Sequence, residues 1–220
     1  MATVAAPSVE DIRRISQERG IEFYFAQFVD MYARPSAKLV PAVCLDDLVS
    51  EGAGFAGFAA GELGQVPSDP DIAAMPDLNS FTPVPWEPTL ARFACDIYVD
   101  GEVWPYDPRS ILRAMLAKAK GLGYEFMMGL ELEYFLLEND GNGGLRVADE
   151  LDDLEKPCYD LRGLTRNYDF LSRVSKYVNE LGWGNYANDH EDANGQFEQN
   201  FRYADALTSC DRAIFFRYMV

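Results

Sequence analysis

Helical and strand-like spacings of apolar residues alternate along this chain. Ser8 precedes Val9-Glu10-Asp11-Ile12, an N-cap followed by acids in a first turn, and predicts a helix to Arg19 closed by Gly20. Ile21 to Asp30 and Lys38 to Val43 read as partnered strands, and Leu45 to Glu51 as a short helix. Gly52 to Gly61 is a Gly/Ala-rich loop carrying Phe55 and Phe58. Prolines and aspartates from Val66 to Pro88 predict irregular chain, and Leu90 to Val99 a strand ending in an Asp100-Gly101 hairpin turn. A boundary near residues 101 to 108 divides the chain into regions 1–103 and 104–220. The second region opens with a helix from Pro108 to about Gly121, with a glycine-rich exit. A strand over Gly129 to Leu137 follows, then a turn cluster from Asn139 to Gly144. Asn167 to Leu181 has helical periodicity through Phe170, Leu171, Val174, Tyr177 and Val178. A strand–turn–strand around Asn194-Gly195 and a helix over Ala204 to Val220 complete the pattern.

The 129–137 strand breaks its own pattern with chemistry. Glu131 and Glu133 stand two residues apart among apolar neighbours, so both project to one face. Burying two like charges side by side is costly unless a cation neutralises them. A hard divalent metal satisfies that condition; an edge strand whose two acids stay solvated avoids the cost altogether and is an equal reading. A second acidic group, Glu191 and Glu198, flanks the Asn194-Gly195 turn. Two strands joined there can return both acids to one end of a sheet. Four carboxylates from two such segments can hold more than one metal ion, an arrangement suited to phosphoryl transfer. A polar loop in an acidic protein is the plainer reading of the second group.

Composition narrows the classes. The 220 residues are 48% hydrophobic and 25% charged, ordinary for a soluble globular chain. A net charge of −17 argues against a nucleic-acid partner, and fits metal binding and simple solubility alike. No apolar run is long enough to span a membrane. Met1 to Pro7 lacks a basic segment and a sustained apolar core, so no signal peptide is expected and a cytoplasmic location follows. Cys44, Cys95, Cys158 and Cys210 form no C-x-x-C pair, which predicts reduced, mostly buried thiols rather than a zinc site. His190 is the one histidine, so no multi-histidine metal site is available within the chain. Gly52 to Gly61 lacks the spacing and Lys-Ser/Thr ending of a P-loop, and the Asn139 to Gly144 turn lacks the alternating acids and closing Glu of a calcium loop.

Several segments together resemble one family. Gly129-Leu130-Glu131-Leu132-Glu133-Tyr134-Phe135-Leu136 is similar to the G-x-E-x-E-F/Y-F-L strand of glutamine synthetases. His190-Glu191-Asp192-Ala193-Asn194-Gly195-Gln196-Phe197-Glu198 resembles that family's H-E-x-A-x-G-Q-x-E segment. Tyr203 to Thr208, running on to Val220, resembles the helix that follows it, and Asp107-Pro108-Arg109 the turn that opens the catalytic domain. The resemblance covers the chain, weakly before residue 20, and about the first half of a typical member.

The resemblance implies an α+β fold: a small N-terminal β-grasp-like domain over 1–103, then the first part of the catalytic α+β domain over 104–220. It implies that Glu131 serves the metal beside the ATP phosphates, and that Glu133, Glu191 and Glu198 serve the metal beside the glutamate side chain. The metals would be Mg2+ or Mn2+, and Tyr203 would pack on the adenine of ATP. The implied reaction is ATP-dependent phosphorylation of the glutamate side-chain carboxylate, then displacement of phosphate by an amine to give an amide. Many ammonia-using members carry an Asp-Gly-Ser-Ser loop in the N-terminal domain. The nearest counterpart here, Phe55-Ala56-Gly57-Phe58-Ala59, is apolar and acid-free, as in the type III and glutamate–methylamine ligase branch. Ammonia and methylamine are both open as the amine, and packing alone is an equal use of the loop. By analogy a complete member is a homo-oligomer with active sites between subunits.

The family's later segments have no counterpart here: the glycine-rich glutamate loop, a further metal-binding histidine, the phosphate-binding arginines and a last metal-binding glutamate. The expectation is a fragment inactive by itself. The alternative is a non-catalytic structural or regulatory relative; a small metal-dependent hydrolase is a third reading. Retention of four mutually repelling acids favours an enzyme parent.

Overall fold

The computed structural model describes residues 6–220. The Met1 to Ala5 part of the segment considered above for a signal peptide lies outside them. Two compact units divide the chain, Met1–Phe126 and Met127–Val220. Both combine helices with mainly antiparallel sheet, a mixed α/β fold.

In the first unit, α1 (Val9–Arg19) begins at a reciprocal cap. Ser8 Oγ accepts the Asp11 N–H and the Asp11 carboxylate accepts the Ser8 N–H, both at 3.1 Å. Gly20 ends the helix in the left-handed region, φ 70°. Then come β1 (Phe23–Val29), β2 (Pro35–Pro41), α2 (Leu45–Glu51), β3 (Ala53–Phe55), β4 (Ile72–Pro76), β5 (Thr82–Pro83), β6 (Leu90–Val99), β7 (Glu102–Val103) and α3 (Pro108–Gly121). The sheet runs β2-β1-β6-β4-β3, with β5 and β7 also paired to β6. Only the β1–β6 pair is parallel among them. Tyr24, Phe28, Phe93 and Ile97 of the sheet bury against Ile12 of α1 and Leu45 of α2.

The segment Val66 to Pro88, expected to be irregular, contains β4 and β5. Ala73 and Ala74 carry little strand preference of their own; β6 supplies the pairing partner, with Ala74 opposite Ile97. β2 also begins earlier than expected, at Pro35, which an edge strand tolerates. Asp107 caps α3 by accepting the N–H groups of Ser110 and Arg109, and Pro108 takes the first helical position. Arg109, 7% exposed, bonds Asp96 at 2.6 Å and Asp77 at 2.7 Å, and Arg113 pairs with the same two acids.

The second unit holds β8 (Met127–Met128), β9 (Glu131–Phe135), β10 (Leu137–Asn139), β11 (Leu145–Val147), α4 (Leu161–Arg166), α5 (Tyr168–Glu180), β12 (Asn185–His190), β13 (Gln196–Phe201), β14 (Ala204–Asp205) and α6 (Ala206–Met219). Its main sheet runs β12-β13-β9, all antiparallel. One face packs on helices: Tyr134 lies 5.9 Å from Phe170 of α5 and 5.9 Å from Phe216 of α6, centroid to centroid. Trp183 meets Phe201 and Phe215 in the same layer. Burying these aromatic rings orients the three strands, which leaves the opposite face for polar groups. Cys95 is buried; Cys44, Cys158 and Cys210 are half-buried, and all four are free thiols. No helix of the described residues is long and apolar enough to cross a membrane.

Candidate metal centre

Strand alternation and register assemble the polar face. Tyr134 and Leu132 of β9 turn inward, while Glu131 and Glu133 are exposed on the other side. Across β13, Glu198 stands opposite Glu133 and Asn200 opposite Glu131. Across β12, Asp189 stands opposite Glu198. Residues directly opposite share a face, so Glu133, Glu198 and Asp189 form one row across three strands. Glu191 follows the last residue of β12, and its N–H bonds the Gln196 carbonyl at 2.9 Å to close the hairpin.

Carboxylate oxygens of Asp189, Glu191 and Glu198 all lie within 4.8 Å of one another. Glu133 is outside that group but paired in register with Glu198. Burial is the largest influence raising each of the three carboxyls. The charges of Asp189, Glu131 and Glu191 add to it at Glu198, Glu131 adds to it at Asp189, and Glu133, Asp189 and Asp192 add to it at Glu191. Asn200 Nδ2 donates to Glu198 Oε1 at 2.7 Å, and Gln196 Nε2 donates to Glu133 Oε2. Ion pairs seen in this unit join Arg146, Arg162, Arg166 and His190 to other acids; none of them reaches these five carboxylates. Cys158 and Asp192 also adjoin Glu191. Burial and those two acids push the Cys158 thiol up, so it stays protonated. The remaining donors are carboxylate oxygens, which suit Mg2+ or Mn2+.

His190 holds the hairpin from beneath. Its ring is fully buried, with Nε2 2.8 Å from Asp152 Oδ2 and Nδ1 2.9 Å from the Glu191 carbonyl. Asp152 also accepts the Gly195 N–H and, at 3.3 Å, the Asn194 side-chain amide. Burial alone would raise Asp152, but the donated hydrogen bonds from Gly195, His190 and Asn194 outweigh it and hold the carboxyl below the usual range. Both ring nitrogens of His190 are therefore engaged inside the protein, leaving neither for a metal.

At the other end of the sheet, Tyr203 is 66% exposed and lines an open cavity of about 660 Å³ with Gly129, Leu130, Glu131, Tyr186 and Arg202. Glu131 thus faces both the cavity and the acidic row. A family model described as "Glutamine synthetase, catalytic domain" matches residues 105–220.

This chain belongs to the glutamine synthetase family.

A "Glutamine synthetase" of Rhizobium meliloti is 39% identical over 210 residues, covering 96% of this chain and 47% of that protein. A "Glutamate--methylamine ligase" of Methyloversatilis universalis is 42% identical over 211 residues, covering 96% and 48%. A solved structure described as "GmaS/ADP complex-Conformation 1" matches with a TM-score of 0.90 at 44% identity, over 95% of this chain and 48% of that one. The chain spans about half the length of the curated relatives it matches.

Three residues of this glutamine synthetase-family site escaped the sequence reading. Asp189 lies two residues before Glu191, the same period-two signal that singled out Glu131 and Glu133, and it was available to be read. Asp152 carried no signal, because its partners lie about forty residues away. Tyr159 carried none either. It adopts φ 64° with its N–H donating to the His190 carbonyl at 2.9 Å, and its ring is 73% exposed. Cys158 first, then the charges of Asp189 and Glu191, raise its hydroxyl.

The apolar loop belongs to the first unit. Phe55 ends β3 and packs edge-on against Phe28 at 4.9 Å, with Lys38 Nζ 5.1 Å from its ring centre. Phe58 is 50% exposed. Ser36, Lys38, Phe55, Ala56, Ala59 and Ala60 line an open groove of about 400 Å³.

Proposed function

We propose that the complete protein is an ATP-dependent glutamate–amine ligase, forming glutamine or a γ-glutamyl amide through a γ-glutamyl phosphate. The observation that carries this reading is the placement of Glu131, Glu133, Glu191 and Glu198 on one side of the β12-β13-β9 sheet, within the region that the family model matches. Bound Mg2+ or Mn2+ would supply Lewis-acid screening between anionic ATP and the anionic glutamate carboxylate. Glu133, Glu191 and Glu198 would hold the ion beside the glutamate side chain, and Glu131 the ion beside the ATP phosphates. Tyr203 would offer its exposed ring to adenine at the cavity mouth. Gln196 and Asn200 hold Glu133 and Glu198 in place by hydrogen bonds, so little reorganisation is needed when ions arrive.

The reading includes a β-grasp-like domain over 1–103 and a catalytic domain from 104; the family match that begins at residue 105 supports the start of the second. The reading also includes a cytoplasmic homo-oligomer whose active sites lie between subunits. In that assembly the Phe55 to Ala59 loop would face the amine, and its lack of an acid suits methylamine alongside ammonia. The 220 residues tested alone would form no amide.

The test is a coupled assay of ADP release by the complete protein with glutamate, ATP and Mg2+, comparing ammonia with methylamine. Amine-dependent ADP release matched by amide formation is expected. Release that neither amine stimulates would sink the reading, and leave the non-catalytic relative in its place.

A further inference from the structure

We infer that Asp189 is a further metal-binding residue of this centre, a fifth carboxylate beside the four that the family resemblance names. The inference rests on the metal-centre reading above. Asp189 occupies the third position of the row Glu133–Glu198–Asp189, fixed by the register of three strands rather than by a flexible loop. Its carboxylate lies within 4.8 Å of Glu191 and Glu198, a mutual separation that one cation can span through oxygen ligands. Glu133, by contrast, is outside this closest group, so Asp189 is the better placed of the two toward both Glu191 and Glu198.

None of the ion pairs seen among the described residues of this unit involves Asp189. The arginines of the unit that form ion pairs pair with Glu138, Glu150, Asp160 and Asp149, and His190 with Asp152. An all-carboxylate set with one more negative charge holds hard cations more tightly and favours them over Zn2+.

Mn2+ titration of the complete protein, followed by the electron paramagnetic resonance signal of free Mn2+ without ATP or glutamate, tests this. Asp189→Asn keeps the side-chain size and is expected to weaken one Mn2+ site by about tenfold or more. Glu198→Gln is expected to do the same. Asp169→Asn, an exposed acid on α5 behind the opposite sheet face, serves as the charge-matched control and is expected to change binding less than about twofold. If Glu198→Gln weakens Mn2+ while Asp189→Asn binds like wild type, the role of Asp189 is overturned and the metal centre stands. If Glu198→Gln also binds normally, the metal-centre reading falls and this inference with it. Asp189→His gives a second route should the asparagine variant misfold. It keeps a donor atom without the charge and is expected to shift preference from Mn2+ toward Zn2+ in competition; an unshifted preference overturns the inference.

Discussion

His190 and Asp152 meet at 2.8 Å in a fully buried contact across 38 residues of chain. That contact ties the β12–β13 hairpin to the segment before α4, and it lies directly beneath the residues that carry Glu191 and Glu198. Asp152 accepts three hydrogen bonds there, one from the turn backbone at Gly195. Removing one partner of a buried, hydrogen-bonded charge leaves the others unsatisfied. Asp152→Ala is expected to destabilise the protein by about 3–5 kcal/mol. Chemical denaturation of the complete protein measures this. A loss below about 1 kcal/mol would show that the hairpin holds its place without the clamp.

Gly163 offers an independent probe of the same contact. A Cβ there would meet His190 Cδ2 at 2.5 Å, too close for the ring to keep its place. Gly163 lies inside α4, so alanine would otherwise favour the helix. Gly163→Ala is therefore expected to destabilise, by about 1–3 kcal/mol, where helix preference alone predicts a gain. A raised melting temperature would contradict the close packing of His190.

The acid row gives a catalytic prediction. Glu198 accepts one hydrogen bond, from Asn200, and glutamine preserves its shape without its charge. Glu198→Gln and Glu133→Gln are each expected to lower amide formation by the complete protein about 100-fold or more. Circular dichroism should match wild type. Activity within a few-fold of wild type in either variant would remove that residue from the metal set.

In the first unit, Arg109 bridges Asp77 and Asp96 and is itself nearly buried. Burial alone would raise the Asp77 carboxyl, but the hydrogen bond and charge of Arg109, with the charge of Arg113, hold it below its ordinary value. A carboxyl depressed in the folded state stabilises fully above its unfolded pKa, near 3.9, and loses that contribution as pH falls through the lower folded value. Stability should therefore drop as pH is lowered below about 4. Arg109→Ala is expected to cost about 1–3 kcal/mol at neutral pH, because it removes the buried partner of two carboxylates and leaves them to the more exposed Arg113 alone. In that variant the share of the acid-induced loss due to Asp77 should shrink. A loss unchanged from wild type between pH 5 and pH 2 would show that Asp77 is not a source of it.

Local signals made much of this chain legible. α1 was readable from Ser8 and Gly20, α2 from Leu45 to Glu51, β6 from Leu90 to Val99 and α3 from Asp107-Pro108. Each is set by caps, turns or apolar periodicity within a few residues, so sequence alone determines it. The spacing of Glu131 and Glu133, and the Asn194-Gly195 turn between Glu191 and Glu198, were legible for the same reason. The pairing of β4 with β6 was not, because alanines form a strand there only when a neighbour supplies the hydrogen bonds. Nor was the alignment of Glu133, Glu198 and Asp189. Register depends on which faces of β9, β12 and β13 bury Tyr134, Phe197 and Phe201 against α5 and α6, and a slip of one residue would turn every acid to the other side. The sequence by itself determined which acids are present and which share a strand face; only the tertiary structure, through long-range burial of aromatic rings and the Asp152–His190 contact, decided which of them meet.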